Sequence, residues 1–297
     1  MKVNSPKTDP SARIDLPGSD PGYFYDPQVT AGQHGEIRLS PRVDKHCKCG
    51  GRPPYQIFQR PDADPVWCPC RRYRLKTQEI NRLIRYSGIP DPFRFKFLDH
   101  FYETYDGRPI EGADELKRHL RNLIEKARKW NASRDTSARA SASQPMRGYF
   151  LTGGPGVGKT YFSYVALNEL IFHSGRPGRF ISLSKAFFQR LRFAFDENSP
   201  MHGKSEAFLR TLGNVPFLVI ADFGVQRNTE WELEMLYNLV DTRYANRRFT
   251  IVTANQDIEN VKKLADGRLY SRFVEMCYIV RIKASDFREH AREVIEI

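Results

Sequence analysis

Apolar and polar positions follow two periods along this chain. Short apolar runs at 149–151, 180–183, 217–220, 249–252 and 278–282 alternate with stretches of helical spacing. Consecutive apolar residues in runs this short fit strands buried on both faces, and strands separated by helices predict a parallel sheet covered on both sides. Upstream, Leu116, Leu120, Leu123, Ile124 and Ala127 form one stripe between Asp114 and Trp130, which predicts a helix packed on a core. Ile80, Leu83 and Ile84 predict a further helix, stopped by Gly88 and Pro90, with a hinge into the main domain at that point.

Residues 1–45 keep no period and are rich in Pro, Gly, Ser and Asp. Such a segment holds too little apolar surface to offset the entropy of ordering it, so a flexible tail is expected. The small polar stretch NASRDTSARASASQP, residues 131–145, predicts an exposed, mobile loop before the first core strand. No internal repeat is present. The resulting organisation is a tail at 1–45, a cysteine-rich module with its linker helix at 46–87, and an α/β domain at 88–297.

Composition narrows the function classes. With 297 residues, 40% of them hydrophobic, and 20 Phe and 14 Tyr, the chain has ample material for a core. No apolar run reaches bilayer length, so no membrane association is expected. The start, MKVNSPKTDPSARIDLPG, has no apolar stretch of signal-peptide type, and a cytoplasmic location is expected. Five cysteines in such a chain point to thiols or metal ligands rather than disulfides. A net charge of +12 attracts polyanions, nucleic acid first among them. The tail carries six basic and six acidic side chains, so the excess lies downstream, with a run at Arg71, Arg72, Arg74, Lys76, Arg82 and Arg85 broken only by Glu79. By charge alone this run fits a solvated face as well as a nucleic-acid surface.

The most specific chemistry is GGPGVGKT: Gly153, Gly154, Pro155, Gly156, Val157, Gly158, Lys159 and Thr160. It follows an apolar run at Tyr149, Phe150 and Leu151 and precedes a helical stretch from Tyr161 to Phe172. That is a P-loop, in which successive backbone N–H groups wrap a triphosphate at a helix N-terminus. Lys159 would reach the outer phosphates and Thr160 a magnesium ion. A matching glycine turn is the plain alternative, and the strand-before, helix-after context decides against it.

An ATPase of this kind also needs acids at the end of a second strand, and FLVIADFG, residues 217–224, is the candidate. Two adjacent acids are usual there; here Ala221 takes the first place and Asp222 the second, so slow hydrolysis with intact binding is expected. An N-cap for the following helix is the alternative for Asp222. Asn255, after the run Phe249 to Val252, can sense the γ-phosphate and orient water, or be an ordinary turn residue. Arg268, Arg272 and Arg288 offer fixed cationic forks that match phosphate oxygens, with surface ion pairs as the alternative, above all for Arg268.

Cys47 and Cys49, then eighteen residues, then Cys68 and Cys70 can close a tetrahedral zinc site, with unmetallated thiols as the alternative. The one-residue spacing is tight, so His46 with Cys49, or Cys47 with Cys49, would supply the first pair. Cys277 lies in a predicted strand and reads as a core residue.

Taken together, the cysteine pairs ahead of SGIPDPFRF, the P-loop, ADFGVQRNTEWELEMLYNLVDTRY, TIVTAN and RLYSRFVEMC followed by DFR resemble the bacterial and phage replicative helicase loaders of the DnaC/DnaI type. These form a branch of the AAA+ ATPases, and the likeness covers residues 46–297. It implies an α/β AAA+ P-loop core with a small N-terminal zinc-binding module, using ATP, magnesium and zinc. Gly153 to Thr160, with Tyr161 beside them, would bind nucleotide; Asp222 would be the second Walker B acid, Asn255 sensor one, Arg272 an arginine finger acting on a neighbouring subunit, and Arg288 sensor two. It also implies self-association into a spiral or ring, single-stranded DNA, and a DnaB-like ring helicase held by the N-terminal module. Ala221 departs from the pattern, where aspartate is normal, and so does the one-residue gap in the first cysteine pair. IstB-like transposition ATPases share the core, and a nucleotide-bound adaptor that never turns over is the alternative from another class.

Overall fold

The computed structural model describes residues 22–26, 35–101, 104–105, 108–109, 111–132, 146–195, 204–224, 229–283 and 286. Its N-terminal part carries β1 (Tyr23–Asp26), β2 (Glu36–Leu39), α1 (Pro41–Lys45), β3 (Gln56–Ile57), β4 (Val66–Trp67) and α2 (Arg71–Arg85). A short pair, β5 (Thr104–Tyr105) and β6 (Arg108–Pro109), precedes α3 (Ala113–Ala132). There follow β7 (Gly148–Gly153), α4 (Lys159–Ser174), β8 (Gly178–Ser182), α5 (Lys185–Phe195), α6 (Lys204–Asn214) and β9 (Phe217–Phe223). The chain continues through α7 (Glu230–Ala245), β10 (Phe249–Ala254), α8 (Ile258–Val261), α9 (Arg268–Met276) and β11 (Cys277–Ile282).

The five strands expected from the apolar runs form one parallel sheet in the order β11-β7-β10-β9-β8. Alternate residues feed two cores, as the two-residue period of a strand requires. Tyr149, Leu151, Phe217, Val219 and Ile251 pack with α4. Phe150, Leu218, Ile220 and Val252 pack on the other face with Leu236 and Leu239 of α7 and Phe273 of α9. Cys277 is buried in this second core, as expected. The order places β10 between β7 and β9, so the carboxyl ends of the P-loop strand and the acidic strand flank that of β10.

Helix α4 is buried on all sides from Phe162 to Ser174 because it lies between the sheet and an outer N-terminal layer. Ile80 and Ile84 of α2, Leu116, Leu120 and Leu123 of α3, and Ile89, Phe95, Phe97 and Phe101 share the core of α4. Polar groups fix this layer: Asn168 Nδ2 donates to Phe93 O and Lys96 O, both at 3.0 Å. Glu169 Oε1 accepts from Leu98 N at 2.7 Å. The stripe expected on α3 is the face that meets α4.

Three expectations need correction. Within 1–45, residues 23–26 and 36–39 are an antiparallel pair, not a tail, and Tyr25 and Ile37 lie in the α4 core. Asn81 of α2 clamps this pair, donating to Ile37 O and accepting from Ile37 N, each at 2.9 Å. The hinge expected at Gly88 is a seam instead. Phe180 N donates to Ser87 O at 2.7 Å, and a Cβ on Gly88 would meet Phe180 O at 2.6 Å, so this stretch is pressed against edge strand β8. Helix α2 is therefore continuous in packing with the α/β part. Finally, α3 runs through Ala132, and residues 133–145 of the expected loop lie outside the described residues.

Candidate functional site

The P-loop connects β7 to α4 directly. Gly156 has φ +73° and Gly158 φ +87°, conformations open to glycine and strained for other residues. Gly158 caps α4 without a side-chain hydrogen bond, which leaves the first-turn N–H groups for an anion. Lys159 is buried, and its Nζ donates to Gly153 O at 2.9 Å and to Gly154 O, folded back over the loop it would share with phosphate. Thr160 follows in the first turn of α4. Tyr161 points elsewhere: its hydroxyl donates to His100 O at 2.7 Å and ties α4 to the outer layer. One neighbour escaped the sequence. A Cβ on Gly156 would meet Asp286 Oδ1 at 1.6 Å, so this carboxylate lies against the P-loop backbone.

Asp222, next to last in β9, has an unusual conformation, with φ +60°. The register between β9 and β10 slips there, from Val252 opposite Ile220 to Ala254 opposite Phe223, which is a bulge that re-aims the acid. Two contacts hold it: Ser182 Oγ donates to Asp222 Oδ2 at 2.7 Å, and Asp222 N donates to Thr253 Oγ1 at 3.2 Å. Burial, then the charge of Asp222, push the Tyr164 phenol of α4 upward. Helix α7 is capped by Thr229, whose Oγ1 accepts from Glu232 N, so Asp222 is not its N-cap. Ala221 is fully buried. By alternation with Phe217 and Val219, its methyl lies on the α4 face.

Asn255 is exposed at the carboxyl end of β10, one residue past Ala254, which pairs with Thr152 of β7 and Phe223 of β9. It therefore sits between the P-loop strand and the acidic strand end. Arg272 of α9 turns to α7: its Nε donates to Asp241 Oδ1 at 2.9 Å and its guanidinium lies 4.2 Å over Tyr244. The Asp241 hydrogen bond holds its pKa above the usual arginine value. Arg268 stacks 4.6 Å over Tyr237 and donates to Ala265 O, a local role. Arg288 lies outside the described residues.

The four N-terminal cysteines converge. Their sulfurs all lie within 4.8 Å of one another, and His46 is not among them. Cys47, Cys49 and Cys70 are mutually 3.5 Å apart at sulfur. Two of them are placed by α2, since Cys68 and Cys70 lead into its first turn and Cys70 is its N-cap. Arg74, one turn on, donates to Cys70 Sγ at 3.4 Å and to Cys47 Sγ at 3.7 Å. Burial raises the Cys47 thiol, but Arg74 and the neighbouring thiols outweigh it and bring it down to about 6. Burial pushes Cys70 up to about 12.

Residues 141–294 match the family described as IstB-like ATP binding protein, just over half of the chain. The chain belongs to that family. It is 29% identical over 125 residues to the replicative helicase loader DnaC of Escherichia coli, covering 42% of this chain and 49% of that protein. The chain thus spans about half the length of this relative. Against the replicative helicase loader DnaC of Buchnera aphidicola (subsp. Baizongia pistaciae) it is 26% identical over 197 residues, 66% of this chain and 70% of that one. Among solved structures, the crystal structure of the DnaC helicase loader superposes with TM-score 0.51 at 23% identity, over 65% of this chain and all of that one. The parallel sheet and P-loop are thus those of an ATP-binding α/β family related to DnaC loaders.

Proposed function

We propose that this chain is an ATP-dependent loader that places a DnaB-like replicative ring helicase on single-stranded DNA, with ATP gating self-association and DNA binding. The observation that carries this is the 197-residue similarity to the Buchnera loader, which is longer than the family match. The α4 N-terminus and Lys159 would hold the phosphates and Thr160 the magnesium, which when bound neutralises charge on the phosphates. Asp222, fixed by Ser182, would orient water through its remaining oxygen, and Asn255 would register the terminal phosphate. Arg272 would act on a neighbouring subunit's nucleotide, and Arg288 would serve its own. The four-sulfur donor set fits tetrahedral zinc, which would staple the N-terminal module that holds the helicase. A cytoplasmic location goes with this role; among the described residues, no helix is long and apolar enough to cross a membrane.

With Ala221 in place of the first acid, ATP serves chiefly as an assembly ligand. The test is the release, by a DnaB-type helicase, of an oligonucleotide annealed to closed circular single-stranded DNA. With this chain and ATP, unwinding rises at least about tenfold; no stimulation by a chain that still binds ATP would overturn the loader role. The family match favours a second reading, an IstB-like ATPase that delivers a transposase to DNA, and ATP-dependent filaments on duplex DNA without helicase binding would select it. Ala221 favours a third, a non-hydrolysing adaptor.

A further inference from the structure

We propose that the β3–β4 hairpin and the first turn of α2 form a contact surface for single-stranded nucleic acid, separate from the P-loop. The basic run on α2 divides into two kinds of residue. Arg74 is held by Asp44 at 2.7 Å, Arg82 by Glu79 at 3.0 Å and Arg85 by Glu36 at 2.8 Å. Arg71 and Arg72 differ: among the described residues neither meets a carboxylate, and each lies over an aromatic ring. The Arg71 guanidinium is 4.1 Å from the Trp67 ring centroid and that of Arg72 is 4.5 Å from Tyr73.

These two arginines stand beside aromatic surface that is largely open to solvent. Trp67 is 55% exposed, and Phe58, which the β3–β4 register and the two-residue strand period put on the same face of the hairpin, is 68% exposed. The surface is also preorganised, because Trp67 precedes Cys68 and Arg71 follows Cys70, so the ring and its cation are each one residue from a clustered thiol. Residues 46–76 carry seven Lys and Arg against two Asp, a clear cationic excess. Flat aromatic faces interleaved with fixed cations match a ligand that presents flat bases and a phosphate at every step. Paired bases of a duplex offer no free faces to Trp67, so a single strand is the form recognised. The loader reading enters only in naming a single strand as the available polyanion.

Fluorescence anisotropy of a labelled oligothymidine with the full-length, metal-loaded chain tests this. Trp67→Ala weakens binding by about tenfold or more, while Trp67→Phe, which keeps a stacking face, stays within about threefold. The double variant Arg71→Gln with Arg72→Gln lowers the salt slope by about 1.4, from two phosphate contacts at about 0.7 each on a single strand. Unchanged ATP binding and metal content show that the variants fold. Wild-type affinity in Trp67→Ala and in the double variant overturns the proposal, and so does a wild-type chain with no affinity for the oligonucleotide. If Trp67→Ala instead loses only a helicase complex and keeps the strand, the surface is a protein interface and the proposal also falls. A wild-type chain that binds the strand through Trp67 yet forms no complex with a ring helicase supports this surface and removes the loader reading alone.

Discussion

Two buried residues show how single side chains set this molecule's limits. Arg243 of α7 is fully buried yet satisfied: it donates to Leu212 O, Val215 O, Phe249 O and Thr250 Oγ1 at 2.6–2.9 Å. Burial pulls its pKa down to about 9, still cationic at neutrality, and it ties the end of α6, the turn before β9 and the start of β10 to α7. Replacing it by methionine leaves those acceptors without a donor and destabilises the chain by about 3 kcal/mol or more, measurable by urea unfolding. Ala221 acts on chemistry instead. Because its methyl lies on the α4 face, Ala221→Asp directs a carboxylate toward the P-loop helix, and steady-state ATPase activity rises at least about tenfold. Equal rates with ATP binding intact would favour the adaptor. Asp222→Asn in that background removes the gain.

At the scale of elements, the segment 97–101 couples stability to pH. His100 Nδ1 accepts from Phe97 N at 3.1 Å, which requires the neutral ring. Burial, then the charge of Lys96, lower its pKa to about 4, below the ordinary histidine value of 6.5. The unfolded chain therefore binds more protons between those values. This contribution is complete above pH ~6.5 and falls away on acidification toward pH ~4, by up to about 1.4 kcal/mol per pH unit. His100→Gln, which keeps an acceptor but takes no proton, flattens that part of the urea-stability profile; identical wild-type and variant profiles would contradict it. The sequence showed elements in the same way that it hid this one. The five sheet strands and the α3 stripe were legible because their periods are local. β1 and β2 were not, since four-residue strands in a Pro- and Gly-rich setting owe their order to a distant clamp, Asn81. The P-loop was readable from spacing, but Ser182, Thr253 and Asp286 reach the site through sheet order, a bulge and a return of the chain. No local pattern records those. The cysteine set was half legible: spacing offered His46 or Cys47, and only folding chose Cys47.

At the scale of the whole molecule, α2 carries two duties. Its start holds the cysteine cluster, and its Ile80 and Ile84 complete the core around α4. Zinc is thus predicted to support the entire chain. Removing it with a strong chelator, or changing Cys68→Ser, lowers the melting temperature of the α/β core by roughly 5 °C or more, seen in the fluorescence of buried aromatics. A core that melts unchanged would show that the module is stapled without metal. Assembly is the other property at this scale. Arg272→Ala, on the α7–α9 surface, leaves ATP affinity unchanged but weakens ATP-dependent self-association, read by sedimentation; unchanged sedimentation would remove Arg272 from the interface. The most direct measurement of all is the mass, by light scattering, of the purified chain mixed with a DnaB-type ring helicase, ATP and single-stranded DNA. A loader gives one stable species heavier than the helicase ring, formed only when this chain is present and dependent on Lys159. A helicase ring that elutes alone, with this chain assembled instead on duplex DNA, would contradict it.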